Sequence, residues 1–154
     1  KDFVFRLAIG FSARHDLADE ITQEVFIRIF RGRKRWKPRA KFTTWLYRVT
    51  LNTSRELMRK RMREQKMLNK LKLENSFQPH NPPDNEDAPD LQNIIPNLPD
   101  RQREALVLRY YERLSIRETA RIMGCREGTI KSHLHKALNN MRHHLGVKRQ
   151  RDDG

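Results

Sequence analysis

The chain has 154 residues, 33 of them Lys or Arg against 19 Asp or Glu, for a formal net charge of +14 and a pI near 10.6. This balance favours a polyanionic partner, nucleic acid first and an anionic membrane surface second, and says nothing about fold. No run of about 18 apolar residues exists, so membrane insertion is not expected, and the single cysteine, Cys125, excludes an internal disulfide and fits a reducing, cytoplasmic setting.

The sequence opens inside an apolar pattern (Phe3, Leu7), without an initiator Met and without the charged-then-apolar order of a signal peptide. A turn or helix upstream of Lys1 is therefore expected. Residues 16–31, DLADEITQEVFIRIFR, then predict a helix that stops at Gly32. Leu17, Ile21, Val25 and Ile29 mark its core face, with Phe26 and Phe30 beside them. Glu20, Gln23, Glu24 and Ile27 belong to the other side. An acidic, glutamine-bearing face in so basic a segment is either an ordinary solvated face or a docking surface for a basic protein.

Seven of the eleven residues 31–41, RGRKRWKPRAK, are basic, and Trp36 sits among them. A basic loop with an exposed aromatic suits single-stranded nucleic acid, where bases stack and phosphates meet charge. A solvated loop whose tryptophan tucks into the core fits the same residues.

A helix follows from about Thr43 to about Lys66, with Leu46, Val49, Thr53 and Leu57 as its core stripe. A second stripe, Trp45, Arg48, Asn52, Arg55 and Arg59, advances by +3, +4, +3, +4 on an exposed face. Aromatic, amide and guanidinium groups in one row stack on bases, bond their edges and neutralise phosphates. Trp45, at the helix start, also fits a partly buried position. Asn52 is the more telling residue, because a mid-helix asparagine gains little from the helix itself.

Residues 75–90 hold four of the seven prolines and almost no apolar side chains, a composition that cannot offset its ordering entropy. Structureless loops of that length are uncommon within one domain. The expected organisation is therefore all-α. A first small helical domain at 1–66 is followed by a linker at 67–95, a second domain at 96–146 and a basic tail at 147–154. Residues 1–66 carry 18 basic and 7 acidic residues, residues 67–98 carry 2 and 5, and residues 99–154 carry 13 and 7. Two basic modules thus flank a mildly acidic connector.

In the second module, Ile116, Ala120 and Met123 recur on one helical face. After a break at Gly124-Cys125, Ile130, Leu134, Ala137, Leu138, Met141 and Leu145 hold the same period. Ser115 to Glu118 fits a capping box and Gly124 a left-handed stop, the pattern of a helix-turn-helix. His133 and His135 lie far round the helix from each other, so neither they nor Cys125, His143 and His144 offer zinc spacing. No glycine-rich phosphate loop, catalytic carboxylate pair or activated nucleophile is present. Neither metal, cofactor nor catalysis by the chain itself is expected. An autonomous helix-turn-helix regulator, with the first module serving dimerisation, is the competing binding role.

ADEITQEVFIRIFRG with KFTTWLYRVTLNTSRELMRKR resembles the second conserved region of bacterial sigma factors, and LPDRQREALVLRYYERLSIRETARIMGCREGTIKSHLHKAL resembles the fourth. Two such regions joined by a short linker resemble the extracytoplasmic-function group. The resemblance implies a non-catalytic subunit that binds core RNA polymerase through its beta-prime clamp and beta subunits and directs transcription initiation. On matching positions it implies docking on the clamp by Asp19, Glu20, Gln23 and Glu24. It implies minus-ten recognition and melting by Arg35, Trp36, Lys41, Trp45, Arg48, Asn52, Arg55 and Arg59. It implies minus-thirty-five contacts from Arg126, Glu127, Thr129, Lys131, Ser132, His133 and Lys136. An anti-sigma factor that covers the DNA-facing surfaces is implied in the same way. Two positions depart from the pattern: Glu20 replaces a common aspartate, and Cys125 stands where Ser, Thr or Pro commonly begins the recognition helix.

Overall fold

The computed structural model describes residues 1–34, 41–73 and 94–152, with side chains through Leu145 in the last segment. Arg35 and Trp36 of the basic loop, and residues 74–93 of the linker, lie outside the described residues. The fold is all-α, as the periodicities predict.

Helix α1 (Asp2–Ser12) presents Val4, Leu7, Ala8 and Phe11 and stops where Ala13 turns left-handed, at φ 55°, with its N–H on the carbonyl of Ile9. Helix α2 (His15–Gly32) packs against it, and the long helix α3 (Phe42–Leu73) packs against both. Val4, Ala8, Leu17, Ala18, Ile21 and Val25 form the bundle core, against which Ile29, Leu46, Val49 and Leu57 pack. Each large aliphatic buried here contributes about 1.5–3 kcal/mol. Helix α3 continues seven residues beyond the expected end at Lys66, so the first part of the expected linker is helical. Its added turns consist of good helix formers (Met67, Leu68, Lys70, Leu71, Lys72), and no glycine or proline stops them before Leu73.

The C-terminal module begins at a 3₁₀ turn, Ile95–Asn97, and continues through α4 (Asp100–Leu106). A π-helical turn, Val107–Tyr111, extends α4 before the chain reverses at Arg113, whose φ is 55°. Helix α5 (Ile116–Met123) starts on a complete capping box: the Ser115 hydroxyl accepts from the Glu118 N–H, and the Glu118 carboxylate accepts from the Ser115 N–H. Gly124 at φ 67° ends it, the conformation glycine adopts at least cost. Helix α6 (Glu127–Asp152) runs through the residues expected to be a tail.

The two modules share a core. Leu7 and Phe11 of α1 and Tyr47 and Leu51 of α3 pack with Ala105, Leu108, Ala120, Ile122, Met123, Ile130 and Leu134. Gly10 lies against the second module so closely that a Cβ there would stand 3.1 Å from a methyl of Val107. Helix α3 is thus covered on two sides, by α1 and α2 and by α5.

Candidate nucleic-acid interface

Leu17, Ile21 and Val25 of α2 are buried, which leaves Asp19, Glu20 and Gln23 exposed and Glu24 half-buried. The carboxylates are not idle. Arg61 of α3 reaches Asp16 at 3.4 Å and Glu20 at 3.3 Å, while Arg28 spans Glu24 at 2.9 Å and Glu56 at 2.6 Å. Hydrogen bonding from Arg14 holds the Asp16 carboxyl below the usual carboxylate range.

Phe26 and Phe30 depart from the expected core position. Phe30 is 65% exposed, with the Arg33 guanidinium 4.4 Å above its ring, and Phe26 and Ile27 are also on the surface. At 100° per residue both phenylalanines turn to the face opposite Ile21, so α2 carries an apolar patch next to Gln23. Their spacing from Gln23 was the available signal; their hydrophobicity masked it.

On α3, Arg48, Asn52 and Arg59 are exposed in one row, and Lys41, just before the helix, is exposed as well. Trp45 is half-buried, its indole against the backbone of Gly32 and tilted toward Phe42 at 5.7 Å. Arg55 is not on the open face. Only 18% of its side chain is exposed, and it donates twice to Glu104 of α4, from Nε at 3.1 Å and from Nη2 at 2.7 Å. The cause is the second module, which covers the edge of the stripe where Arg55 lies.

Arg126, Glu127, Thr129, Lys131, Ser132 and Lys136 are exposed at the start of α6, while Ile130, Leu134 and Ala137 anchor the helix. His133 is half-buried and, with Lys136, faces Arg55, Arg59 and Arg101 across a groove of about 430 Å³. Burial first, then the charges of Lys136 and Arg101, lowers the pKa of His133. The helix that carries the minus-ten candidates and the helix-turn-helix therefore open onto one basic cleft.

Cys125 does not cap α6. It packs beside the shared core, its N–H bonds the carbonyl of Ala120, and burial raises its thiol pKa. A raised thiol pKa argues against an activated nucleophile. Among the described residues no group of three or more His, Cys, Asp or Glu side chains is placed to hold a metal. No described helix is long and apolar enough to cross a membrane.

Residues 1–64 match the family described as sigma-70 region 2, and residues 89–141 match sigma-70, region 4. An ECF RNA polymerase sigma factor, SigE of Mycolicibacterium smegmatis, is 32% identical over 94% of this chain, which spans 58% of that relative. The ECF RNA polymerase sigma factor EcfG of Rhodopseudomonas palustris is 30% identical over 96% of the chain, which spans 81% of it. Among solved structures, the sigma factor RpoE in complex with the anti-sigma factor NepR, from Bartonella quintana, superimposes with a TM-score of 0.73. The match covers 95% of this chain and 91% of that one, at 26% identity.

Proposed function

The chain belongs to the ECF sigma factors of RNA polymerase, and from that membership we propose that it binds bacterial core polymerase and directs initiation at promoters read by its two modules. The observation that carries the reading is the exposed row of Arg48, Asn52 and Arg59 on α3, with Lys41 just before it, set in one chain with a helix-turn-helix. An autonomous regulator would need the first module only for pairing, and a pairing face would be apolar rather than cationic.

In this reading the face of Asp19, Glu20, Gln23 and Glu24 meets the beta-prime clamp, and the chain also contacts the beta subunit. Phe26, Ile27 and Phe30 add apolar area beside the charges. The α3 row, with Lys41, Trp45, Arg55 and the loop residues Arg35 and Trp36, engages the minus-ten strand. Cations neutralise phosphate, and Asn52 bonds a base edge. The start of α6 enters the major groove at the minus-thirty-five element through Arg126, Glu127, Thr129, Lys131, Ser132, His133 and Lys136. Residues 1–66 and 96–146 act as the two modules. The chain needs no cofactor or metal, leaves catalysis to the polymerase, and works in the cytoplasm. An anti-sigma factor restrains it, as the complexed neighbour suggests.

Co-elution with bacterial core polymerase at moderate salt, followed by transcription from a pooled promoter library, tests the reading. Wild-type chain should co-elute and give selective transcripts. Glu20→Lys with Gln23→Ala should abolish co-elution while helicity stays unchanged. Specific duplex binding by the chain alone, without co-elution, would transfer the assignment to an autonomous regulator.

A further inference from the structure

The minus-ten and minus-thirty-five elements lie roughly 25 base pairs apart, about 85 Å at 3.4 Å per pair. In this structure Arg59 of α3 and His133 and Lys136 of α6 line the same groove. One protein conformation cannot place both helices in one groove and on elements so far apart, so the modules must part to span a promoter. The connecting residues 74–93 extend to roughly 70 Å at most, enough for a large separation. What holds the modules together is then a determinant of DNA binding.

Among the described residues, three hydrogen-bonded side chains cross the interface. Arg103 donates to the carbonyl of Phe11 at 2.8 and 3.0 Å, the Tyr47 hydroxyl donates to Glu112 at 2.8 Å, and Arg55 forks onto Glu104. Of these three, the last engages a residue of the DNA-facing stripe. Glu104 is 2% exposed and accepts from Arg101 as well, at 3.1 Å. A carboxylate taking both donors of one guanidinium edge presents the same planar, anionic, two-oxygen acceptor that a phosphodiester offers.

We propose that Glu104 occupies Arg55 in place of a promoter phosphate, so that the second module itself withholds a minus-ten contact until the modules separate. The proposal rests on the sigma reading of α3 and adds a specific competitor within the chain. Arg48, Asn52 and Arg59 stay exposed in the closed form. They provide a first foothold for single-stranded DNA, and release of Arg55 then couples strand capture to opening. A partner that holds the closed form would act by preserving this ion pair.

The test is binding of a fluorescein-labelled, degenerate twelve-nucleotide single-stranded DNA pool by the full chain without polymerase. Phosphate contacts are indifferent to base sequence, which makes a degenerate pool a suitable probe. Glu104→Gln keeps the side-chain shape, weakens the fork, and leaves Arg55 and Arg101 uncompensated. It should tighten binding about tenfold, the scale of a charge-assisted pair. Glu64→Gln removes the same charge from an exposed site on α3 and should change affinity less than twofold. Adding Arg55→Gln to Glu104→Gln should erase the gain. Tyr47→Phe loosens the same interface without touching the groove and should give a smaller gain that also requires Arg55. No gain in either interface variant beyond that of Glu64→Gln would overturn the proposal, as would a gain that survives loss of Arg55. Failed co-elution with polymerase would overturn the sigma reading through a separate assay.

Discussion

Arg103 is the most deeply placed cation that joins the modules, and Arg103→Met isolates its contribution. Its side chain is 4% exposed, and it donates to the carbonyls of Phe11 and Leu98 and to the carboxylate of Asp100. The Phe11 carbonyl belongs to the last turn of α1, whose carbonyls have no partner within the helix, so the guanidinium also sits at the negative end of that helix. Methionine fills the stem volume but leaves two buried carbonyls unbonded, at about 1–3 kcal/mol each. Asp100 lies mostly in water, and its loss of a partner costs little. Allowing about 1 kcal/mol for the packing methionine restores, the net loss is about 3 kcal/mol. For a chain of this size that lowers the thermal midpoint by roughly 6–12 °C. Calorimetry checks the shift, and small-angle scattering checks whether the modules separate as they weaken. A midpoint within about 2 °C of wild type, with unchanged radius of gyration, would refute the reasoning that these carbonyls depend on Arg103.

Asn52→Ala should slow promoter opening more than closed-complex formation, measured by permanganate footprinting beside filter binding. Equal loss in both steps would make Asn52 a structural residue. Ser115→Ala removes half of the capping box and should lower stability by about 1 kcal/mol, or roughly 2–4 °C in calorimetry, with a matching loss of helix-turn-helix order. The Tyr47 hydroxyl is held neutral by burial, reinforced by Glu112, so its pKa lies above the ordinary value of about 10. The folded chain binds that proton more tightly than the unfolded one. The resulting stability is therefore complete below pH 10 and is lost as pH rises through the folded value. Thermal midpoints taken from pH 8 to 11 should fall more steeply for wild type than for Tyr47→Phe, and parallel curves would refute the assignment.

The helices were legible where period and punctuation agreed. In α2, Leu17, Ile21 and Val25 fixed the buried line, and Gly32 marked the end. In the helix-turn-helix, Ser115, Glu118 and Gly124 each act as their chemistry dictates. The end of α3 was less legible. Its charged, leucine-bearing turns beyond Lys66 have the composition of a helix, while the proline-rich stretch after them suggested an earlier stop. The exposure of Phe26 and Phe30 was missed because apolar character outweighed their angular position.

Arg55 is the more instructive case. On a wheel of α3 it lies only 60° from Asn52 and 40° from Arg59, so helix geometry alone puts all three in one stripe. Which edge of the stripe is covered depends on Leu51 and Tyr47, which line the adjacent edge and enter the shared core with the second module. That information is carried by residues more than forty positions away, across a connector whose composition reads as a spacer. Glu104 likewise reads from sequence as one more charge on a short helix; unlike Glu118, whose spacing from Ser115 marks a capping box, it carries no local signal of a partner. A nucleic-acid face inferred from periodicity is therefore a face open to any anion of suitable shape. In a chain of two tethered modules, the first such anion to arrive is an internal carboxylate, because the tether holds it at high effective concentration.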